Sequence, residues 1–184
     1  MSEMSVRSIA HGDLSDADLE SLGRLFDDEY FSQHGEWDPD HPYGYAPHDV
    51  HVVAQRGRHV VAHVGWGRRS IAVGGTDVEV AGVGGVLVSH RARVAGVGRM
   101  LMEHAASTMR TAGGIEFGYL GCREAVAPFY EACGWHRVSA VEHFIGRDGA
   151  PAVQPPGPPI LIQPVSRTLD AWPAGNIDLR GRAW

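Results

Sequence analysis

The stretch HRARVAGVGRMLMEHA, residues 90–105, decides how the rest of the sequence is interpreted. Two glycines, Gly96 and Gly98, stand immediately before an apolar run with the spacing of an α-helix. A glycine-rich turn that opens a helix can bind a phosphate, because its backbone N–H groups are free and the helix dipole adds partial positive charge. The stretch therefore raises the question of which phosphate it binds.

Two common phosphate loops are excluded by the residues themselves. A dinucleotide fingerprint G-x-G-x-x-G needs a third glycine and a βαβ unit, and here the preceding strand belongs to a series of hairpins. A nucleoside-triphosphate loop needs Lys and then Ser or Thr after its last glycine, whereas Gly98 is followed by Arg99 and Met100. What remains is the shorter pattern Arg93-x-x-Gly96-x-Gly98 between a strand and a helix.

The composition is that of a globular protein, which we expect to form one domain over residues 1–184. A net charge of −6 argues against a nucleic-acid partner, and the absence of a long apolar run predicts a cytoplasmic protein without a membrane partner. All sixteen basic residues are arginine, which excludes a lysine nucleophile. Cys122 and Cys133 do not form a CxxC pair and are expected to be free, buried thiols.

The order of patterns along the chain predicts an α+β (mixed α/β) fold. A helix capped by Ser15 is followed by a long loop over residues 34–48, and then by strands joined at glycine turns. After the quoted stretch, short strands alternate with a short helix. We expect a core over residues 6–146, an irregular Pro/Gly connector over residues 148–159, and a C-terminal strand and tail over residues 160–184.

Two motifs together resemble the Gcn5-related N-acetyltransferase (GNAT) superfamily. The Arg93-x-x-Gly96-x-Gly98 pattern is similar to the loop that binds the pyrophosphate of acyl-CoA in that superfamily. Further along, FYEACGW at residues 129–135 is similar to its Tyr-bearing short helix followed by Gly and an aromatic residue. The resemblance covers residues 6–146 and implies a central mixed, mostly antiparallel β-sheet flanked by helices. It also implies acetyl-CoA (CoA) as the cofactor, no metal, and a homodimer as an assembly to consider.

The resemblance assigns roles to particular residues. Tyr130 would be the general acid that protonates the departing thiolate. The Gly84-Gly85 pair predicts a β-bulge that splays the sheet and lets a ligand approach the backbone. The residues expected to bind the cofactor are Val86, Leu87, Val88, Arg93, Val94, Ala95, Gly96, Val97, Gly98 and Arg99.

The general base is left open by the sequence. Many members of the superfamily carry a Glu on the strand before the pyrophosphate loop, where this chain has Gly84. The histidines of the long loop and several carboxylates remain as candidates. They are Glu36, Asp38, Asp40, Asp148, Asp178, His41, His48 and the terminal carboxylate of Trp184. The resemblance also makes this carboxylate a candidate catalytic group.

Within the superfamily, the chain most resembles the aminoglycoside 2'-N-acetyltransferases, through Asp40-His41 in the long loop and the Trp-x-Ala-Gly motif at residues 172–175. This resemblance implies 2'-N-acetylation of an aminoglycoside or a related amino-sugar antibiotic, such as a kasugamycin-like acceptor. Eleven carboxylates between residues 13 and 49, against one Arg, indicate either a surface for a cationic ligand or a solvated face. The acceptor-binding residues implied are Glu36, Asp38, Asp40, His41, Gly84, Asp178 and Trp184.

Two alternatives stand beside this interpretation. The tail segment WPAGNIDLRG, residues 172–181, also resembles the nodulation N-acyltransferases, which transfer a fatty acyl group from acyl carrier protein to the free amine of a chitin oligosaccharide. A non-catalytic acyl-CoA-binding sensor is the second alternative, although such a protein would have no need of Tyr130.

Overall fold

The computed structural model describes residues 4–93 and 96–184, and this part of the chain forms three α-helices and a ten-stranded sheet. The helices are α1 (Asp16–His34), α2 (Val97–Ala112) and α3 (Ala127–Ala132). The strands are β1 (Met4–Ala10), β2 (Val50–Arg56), β3 (His59–Val73), β4 (Thr76–Val88), β5 (Phe117–Gly121), β6 (His136–Val138), β7 (Glu142–Ile145), β8 (Pro151–Gln154), β9 (Ile160–Pro164) and β10 (Ile177–Arg182).

The sheet is built around the long antiparallel hairpin of β3 and β4, which turns at Gly74 and Gly75 with φ of 56° and 82°. Both glycines lie in the left-handed region that a tight hairpin turn requires. Along its other edge β3 pairs first with β2 and then with β10, and beyond β4 the order is β5, β9, β6. Only the β4–β5 and β7–β10 pairs are parallel. The prediction of a mixed, mostly antiparallel sheet is confirmed.

The sheet opens between β4 and β5. These strands pair only from Val80–Phe117 to Gly82–Tyr119, although β4 continues to Val88. Over the unpaired part, the β3–β4 register shifts by one residue, and Gly85 adopts φ of 58°. An extra residue in one strand, with a glycine in the left-handed region, is a β-bulge that bends the strand. The predicted bulge at Gly84-Gly85 is therefore confirmed, and it creates a gap between two neighbouring strands.

Helix α1 begins at a capping box. The Ser15 hydroxyl accepts a hydrogen bond from the Asp18 N–H, and the Asp18 carboxylate accepts one from the Ser15 N–H at 3.0 Å. The Ser15 hydroxyl also donates a hydrogen bond to this carboxylate at 2.6 Å, and this bond, followed by the one from Arg7, lowers the pKa of Asp18 to about 2. The buried face of the helix, with Leu22 and Phe26, packs on the sheet beneath the long loop. The predicted N-cap at Ser15 is confirmed.

Helix α2 begins at Gly96, whose φ of 98° is accessible to glycine at little cost, and ends before Gly113. Its apolar face, including Leu101, Ala105 and Met109, is buried against β2, β3 and β4. Because this face fixes the helix on the sheet, its N-terminus points toward the gap beside β4.

The C-terminal part of the chain differs from the prediction. Residues 151–154 lie within the expected irregular connector but form β8, an edge strand antiparallel to β7. No strand was predicted in the tail that follows β9, yet it contains β10, which lies between β3 and β7 and buries Ile177 and Leu179. Two alternating apolar residues predict a strand only weakly. This segment becomes a central strand because it pairs with the open edge of β3. The N-terminal strand β1 was likewise not predicted.

The two cysteines are free, as predicted, and both are half-buried rather than fully buried. Within the described residues, no helix is long and apolar enough to cross a membrane.

Candidate active site

Two cavities meet in the gap between β4 and β5. The outer cleft, of about 900 Å³, lies between the end of β4 and the N-termini of α2 and α3. The inner cavity, of about 290 Å³, lies beneath the long loop and the C-terminal tail. Tyr30, Val86 and Tyr130 line both cavities and so mark their junction. A molecule in the outer cleft therefore reaches a molecule in the inner cavity at Tyr130.

The outer cleft is suited to a phosphate group. Gly96, Gly98 and Arg99 from the start of α2 line it together with Arg93. The helix N-terminus provides free backbone N–H groups, and the two guanidinium groups provide positive charge. Gly98 also allows close packing, because a Cβ at this position would lie 3.1 Å from the ring of Phe129. The two motifs recognised in the sequence thus contact each other directly.

Seven of the residues predicted to bind the cofactor line the outer cleft. They are Val86, Leu87, Val88, Arg93, Gly96, Gly98 and Arg99. Val97 does not line it, because its side chain is 4 % exposed and belongs to the core under α2. Val94 and Ala95 lie outside the described residues.

Tyr130 projects from α3 into the junction of the two cavities. Its side chain is 8 % exposed and packs against the rings of Phe129 and Trp135. Burial raises the pKa of Tyr130 above its usual value, and the charges of Cys122 and Tyr30 act in the same direction. The phenol therefore keeps its proton near neutral pH, so Tyr130 can serve as a proton donor.

The inner cavity is assembled from segments that are far apart in the sequence. The Arg182 guanidinium donates hydrogen bonds to the carbonyls of Gly44, Gly146 and Arg147, at 2.9, 3.0 and 3.0 Å. Arg147 in turn donates to the Tyr43 carbonyl at 2.7 Å. These bonds connect the long loop, the β7–β8 turn and the tail, which together close the cavity over β4.

Trp184 forms one wall of the inner cavity, and its position depends on two close contacts. The indole lies on Gly82, where any Cβ would overlap the ring, and the Arg69 guanidinium stacks on the other side at 4.0 Å from the ring centroid. A Cβ on Gly84 would lie 2.9 Å from the main-chain carboxyl carbon of Trp184. Gly84 and Trp184, both predicted to bind the acceptor, are thus brought together here.

The other residues predicted to bind the acceptor lie elsewhere. Among the described residues that line the inner cavity, none is Asp or Glu. The acidic side chains of the long loop point outward: Asp40 hydrogen-bonds to His11 at 2.9 Å, and Asp38 lies 3.7 Å from His41 Nδ1. Glu36 is exposed as well. In place of carboxylates, the long loop directs Tyr43 and Tyr45 into the inner cavity. The number of acidic residues in the loop did not predict this packing.

Two further base candidates are also outside the cavity. Asp178 is exposed on β10 and accepts a hydrogen bond from the Arg180 N–H at 2.8 Å. Asp148 accepts one from the Ala150 N–H at 3.0 Å in the β7–β8 turn. Both carboxylates are therefore engaged in local turns, away from the residues that line the cavity.

His48 is the loop residue that reaches the centre of the site. Its imidazole lies in a slot on one face of the β3–β4 hairpin whose floor is made of glycines, because a Cβ on Gly65 would overlap its Cγ. On the neighbouring strand, Cβ atoms on Gly84 and Gly85 would lie 3.0 Å from Nε2 and 3.2 Å from Cε1. The imidazole thus occupies space into which a side chain at position 84 would project. Three glycines facing each other across two predicted strands were the signal in the sequence.

A hydrogen-bonded row of histidines, His63, His51 and His11, contacts the β4 bulge at Gly85. The Nδ1–H of His63 donates to the Gly85 carbonyl at 2.7 Å, since a carbonyl can only accept. His63 Nε2 must then accept from His51 Nδ1 at 2.9 Å, and His51 Nε2 from His11 Nδ1 at 3.0 Å. Burial lowers the pKa of both His51 and His63 to about 3, so both rings are neutral near pH 7.

This row also orients the next peptide group. In a trans peptide the C=O and the N–H point in opposite directions, and the described chain has no cis bond. Because His63 fixes the Gly85 carbonyl, the Val86 N–H is directed away from His63. Despite this concentration of histidines, no group of three or more His, Cys, Asp or Glu in the described residues is arranged to hold a metal ion.

The fold is that of the GNAT N-acetyltransferases. The chain is similar to YhbS from Escherichia coli, solved in complex with CoA, with a TM-score of 0.65 and 13 % identity over 97 % of this chain and 91 % of that one. It is similar to E. coli ElaA with a TM-score of 0.61 and 20 % identity over 88 % and 99 %. An acetyltransferase from Brucella melitensis, solved with acetyl-CoA, gives a TM-score of 0.55 and 14 % identity over 96 % of each chain.

A family model assigns the chain to a narrower group than the fold does. The model of the family described as Nodulation protein A (NodA) matches residues 2–182, so the chain belongs to the NodA family. No curated protein matches the sequence. The sequence resembled both the aminoglycoside 2'-N-acetyltransferases and the nodulation N-acyltransferases. The second resemblance is thus confirmed at the level of the family.

Proposed function

We propose that the protein is an N-acyltransferase that moves an acyl group from a CoA thioester to the amine of an amino sugar. The observation that carries this proposal is the position of Tyr130 at the junction of two cavities of different character. The outer cleft has the glycines and arginines that suit a pyrophosphate, and the inner cavity has aromatic walls that suit a sugar. Tyr130, a proton donor, thus lies where the thiolate would leave the thioester.

The transfer step uses the groups around the gap. The acceptor nitrogen attacks the thioester carbonyl carbon, and the Val86 N–H stabilises the carbonyl oxygen as it becomes negative. The C–S bond then breaks, and Tyr130 donates its proton to the thiolate. One proton leaves the amine and one enters the thiol, so the products are an amide and free CoA.

The donor is supported by the outer cleft. Its strand backbone, helix N-terminus and two arginines match the polar parts of CoA, which the E. coli YhbS structure contains. Nodulation N-acyltransferases take a fatty acyl group from acyl carrier protein, whose pantetheine arm ends in the same thioester. Acetyl-CoA, long-chain acyl-CoA and acyl carrier protein are therefore the donors to compare.

The acceptor is a sugar with one free amine, as in a partly deacetylated chitin oligosaccharide. Tyr43, Tyr45 and Trp184 line the inner cavity, and aromatic side chains are well suited to packing on a sugar ring. Arg147 is the charged side chain in the lining, and no Asp or Glu side chain lies there to attract a polycation. This favours a chitin oligosaccharide over an aminoglycoside such as kasugamycin, whose binding would need carboxylates.

The test is acyl transfer by the purified protein. Each of the three donors is combined with glucosamine, a chitin oligosaccharide carrying one free amine, kasugamycin and a 2'-amino aminoglycoside, and mass spectrometry locates the acyl group. We expect the oligosaccharide amine to be acylated fastest. Faster aminoglycoside acetylation would restore the antibiotic as acceptor. Donor binding without transfer to any amine would indicate a sensor of acyl-CoA instead.

A further inference from the structure

The inner cavity contains two buried polar groups that the fold leaves without partners. His48 Nε2 and the Tyr43 hydroxyl both line the cavity, and neither has a hydrogen-bond partner within residues 4–93 and 96–184. Buried polar atoms in folded proteins are almost always paired, because an unpaired one costs about 1–3 kcal/mol. Two such atoms facing the same cavity indicate that a polar ligand pairs with them.

From this arrangement we infer that His48 is the catalytic base, which accepts the proton of the acceptor amine as the C–N bond forms. The inference rests on the proposed function and names the residue that replaces the glutamate common in the superfamily. His48 Nε2 lies 3.0 Å from where a Gly84 Cβ would be, so the imidazole fills the space of the missing side chain. Tyr43 then hydrogen-bonds to the acceptor beside it.

The position of His48 is built into the sheet. The glycines at positions 65, 84 and 85 leave a slot for the ring, and the rings of His51 and His63 pack against it at centroid distances of 5.8 and 5.9 Å. The side chain is 5 % exposed, so its orientation is fixed by packing before any acceptor binds.

The ring is in the form that a base requires. Burial lowers the pKa of His48 to about 3, with further lowering by His51 and His11, so the imidazole is neutral near pH 7. With its single proton on Nδ1, the neutral ring carries a free lone pair on Nε2. When the amine attacks, its nitrogen becomes positively charged and acidic, and the proton moves to Nε2.

The two protons that move during the reaction can be accounted for by residues of the inner cavity. Tyr130 donates its own proton to the thiolate and becomes a phenolate, while His48 holds the proton from the amine. Because both side chains line the same cavity, the imidazolium can return this proton to the phenolate once the products form. Both residues recover their starting state, and the net transfer is from amine to thiol.

The experiment replaces the base without emptying the slot. Gln in His48→Gln can accept a hydrogen bond but cannot carry the proton, so we expect kcat to fall by about 10²–10³. The Kd for acetyl-CoA should stay within twofold of that of the unmodified protein. His59→Gln, a substitution of an exposed histidine at the start of β3, is the matched control and should leave kcat unchanged.

A second variant separates chemistry from packing. His48→Ala opens the slot, and added imidazole should restore formation of the acylated amine, measured as product by mass spectrometry. The similarly shaped but far less basic 1,2,4-triazole should fill the slot without restoring activity. Equal rescue by both compounds, or a His48→Gln kcat within threefold of the unmodified protein, would overturn the role of His48 while leaving acyl transfer established. If the unmodified protein acylates no amine, the proposed function itself fails and the base with it.

Discussion

The two cavities on either side of Tyr130 are built in opposite ways. The outer cleft takes its arginines and backbone N–H groups from one piece of chain, from the end of β4 into α2, with α3 as a further wall. The inner cavity uses three distant segments and meets its ligand with aromatic rings, neutral histidines and two unpartnered polar atoms. A site for a shared cofactor can stay local, whereas a site for a particular acceptor is assembled by the tertiary fold.

The largest expected effect is at the junction, where both sides are needed. Tyr130→Phe removes the proton donor and keeps the ring, so kcat should fall by about 10²–10⁴. The Kd for acetyl-CoA, measured by calorimetry, should remain within twofold. An unchanged kcat would mean that the thiolate leaves without Tyr130.

Lowering the pH should reduce the free energy of unfolding, because three neutral histidines are buried beside the inner cavity. The pKa values of His48, His51 and His63 are about 3 in the folded chain, against about 6.5 for an ordinary histidine. Between these values the unfolded chain binds more protons, so stability falls as the pH is lowered, by up to about 4 kcal/mol per pH unit for three sites. Urea unfolding between pH 7.5 and pH 5 measures this.

Two carboxylates limit the pH range over which that measurement reports on the histidines. The pKa values of Asp18 and Glu29 are lowered from the ordinary values of 3.8 and 4.5, so their contributions are lost only at lower pH. A free energy of unfolding that does not change between pH 6.5 and 5 would show that the histidines are not buried as neutral rings.

A smaller effect is expected from the aromatic wall. Trp184→Ala should raise the acceptor KM by about 30-fold, since burying a large apolar side chain is worth about 2 kcal/mol. Gly82→Ala should act similarly, because its Cβ would displace the same indole. Trp172→Ala is the matched control, since this tail tryptophan packs on Phe117 and does not line the inner cavity. If all three variants raised KM equally, the effect would come from the tail as a whole.

The smallest effect is expected on the donor side. Arg99→Ala removes one exposed guanidinium from the outer cleft and should weaken acetyl-CoA binding by about fivefold, or about 1 kcal/mol, with acceptor KM unchanged. The loss should shrink as salt is raised, because exposed charges are screened. Arg110→Ala, in the last turn of the same helix, is the control. Equal losses from both variants would argue that α2 contributes only a diffuse positive field.

Much of the fold and the outer cleft follow from the sequence. The N-cap at Ser15, the glycine turn between β3 and β4, and the bulge at Gly84-Gly85 were all predicted, because each depends on residues within a few positions of one another. The strand β10 was not, since its two buried apolar residues gain their meaning only beside the open edge of β3. Local chemistry determines turns, caps and loops, whereas pairing partners are chosen by the whole sheet.

The sequence by itself determined the loop at residues 93–98, the tyrosine helix and hence the donor side of this NodA-family protein. It also showed the acidic loop, but could not show that its carboxylates face outward and its aromatic rings and His48 face inward. Only the tertiary structure decided this, because burying apolar rings against the sheet is favourable and burying unpaired carboxylates is not. The same packing placed His48 over Gly65, Gly84 and Gly85. The hairpin register brings these glycines together, but no spacing along the chain shows which side chain lies on them.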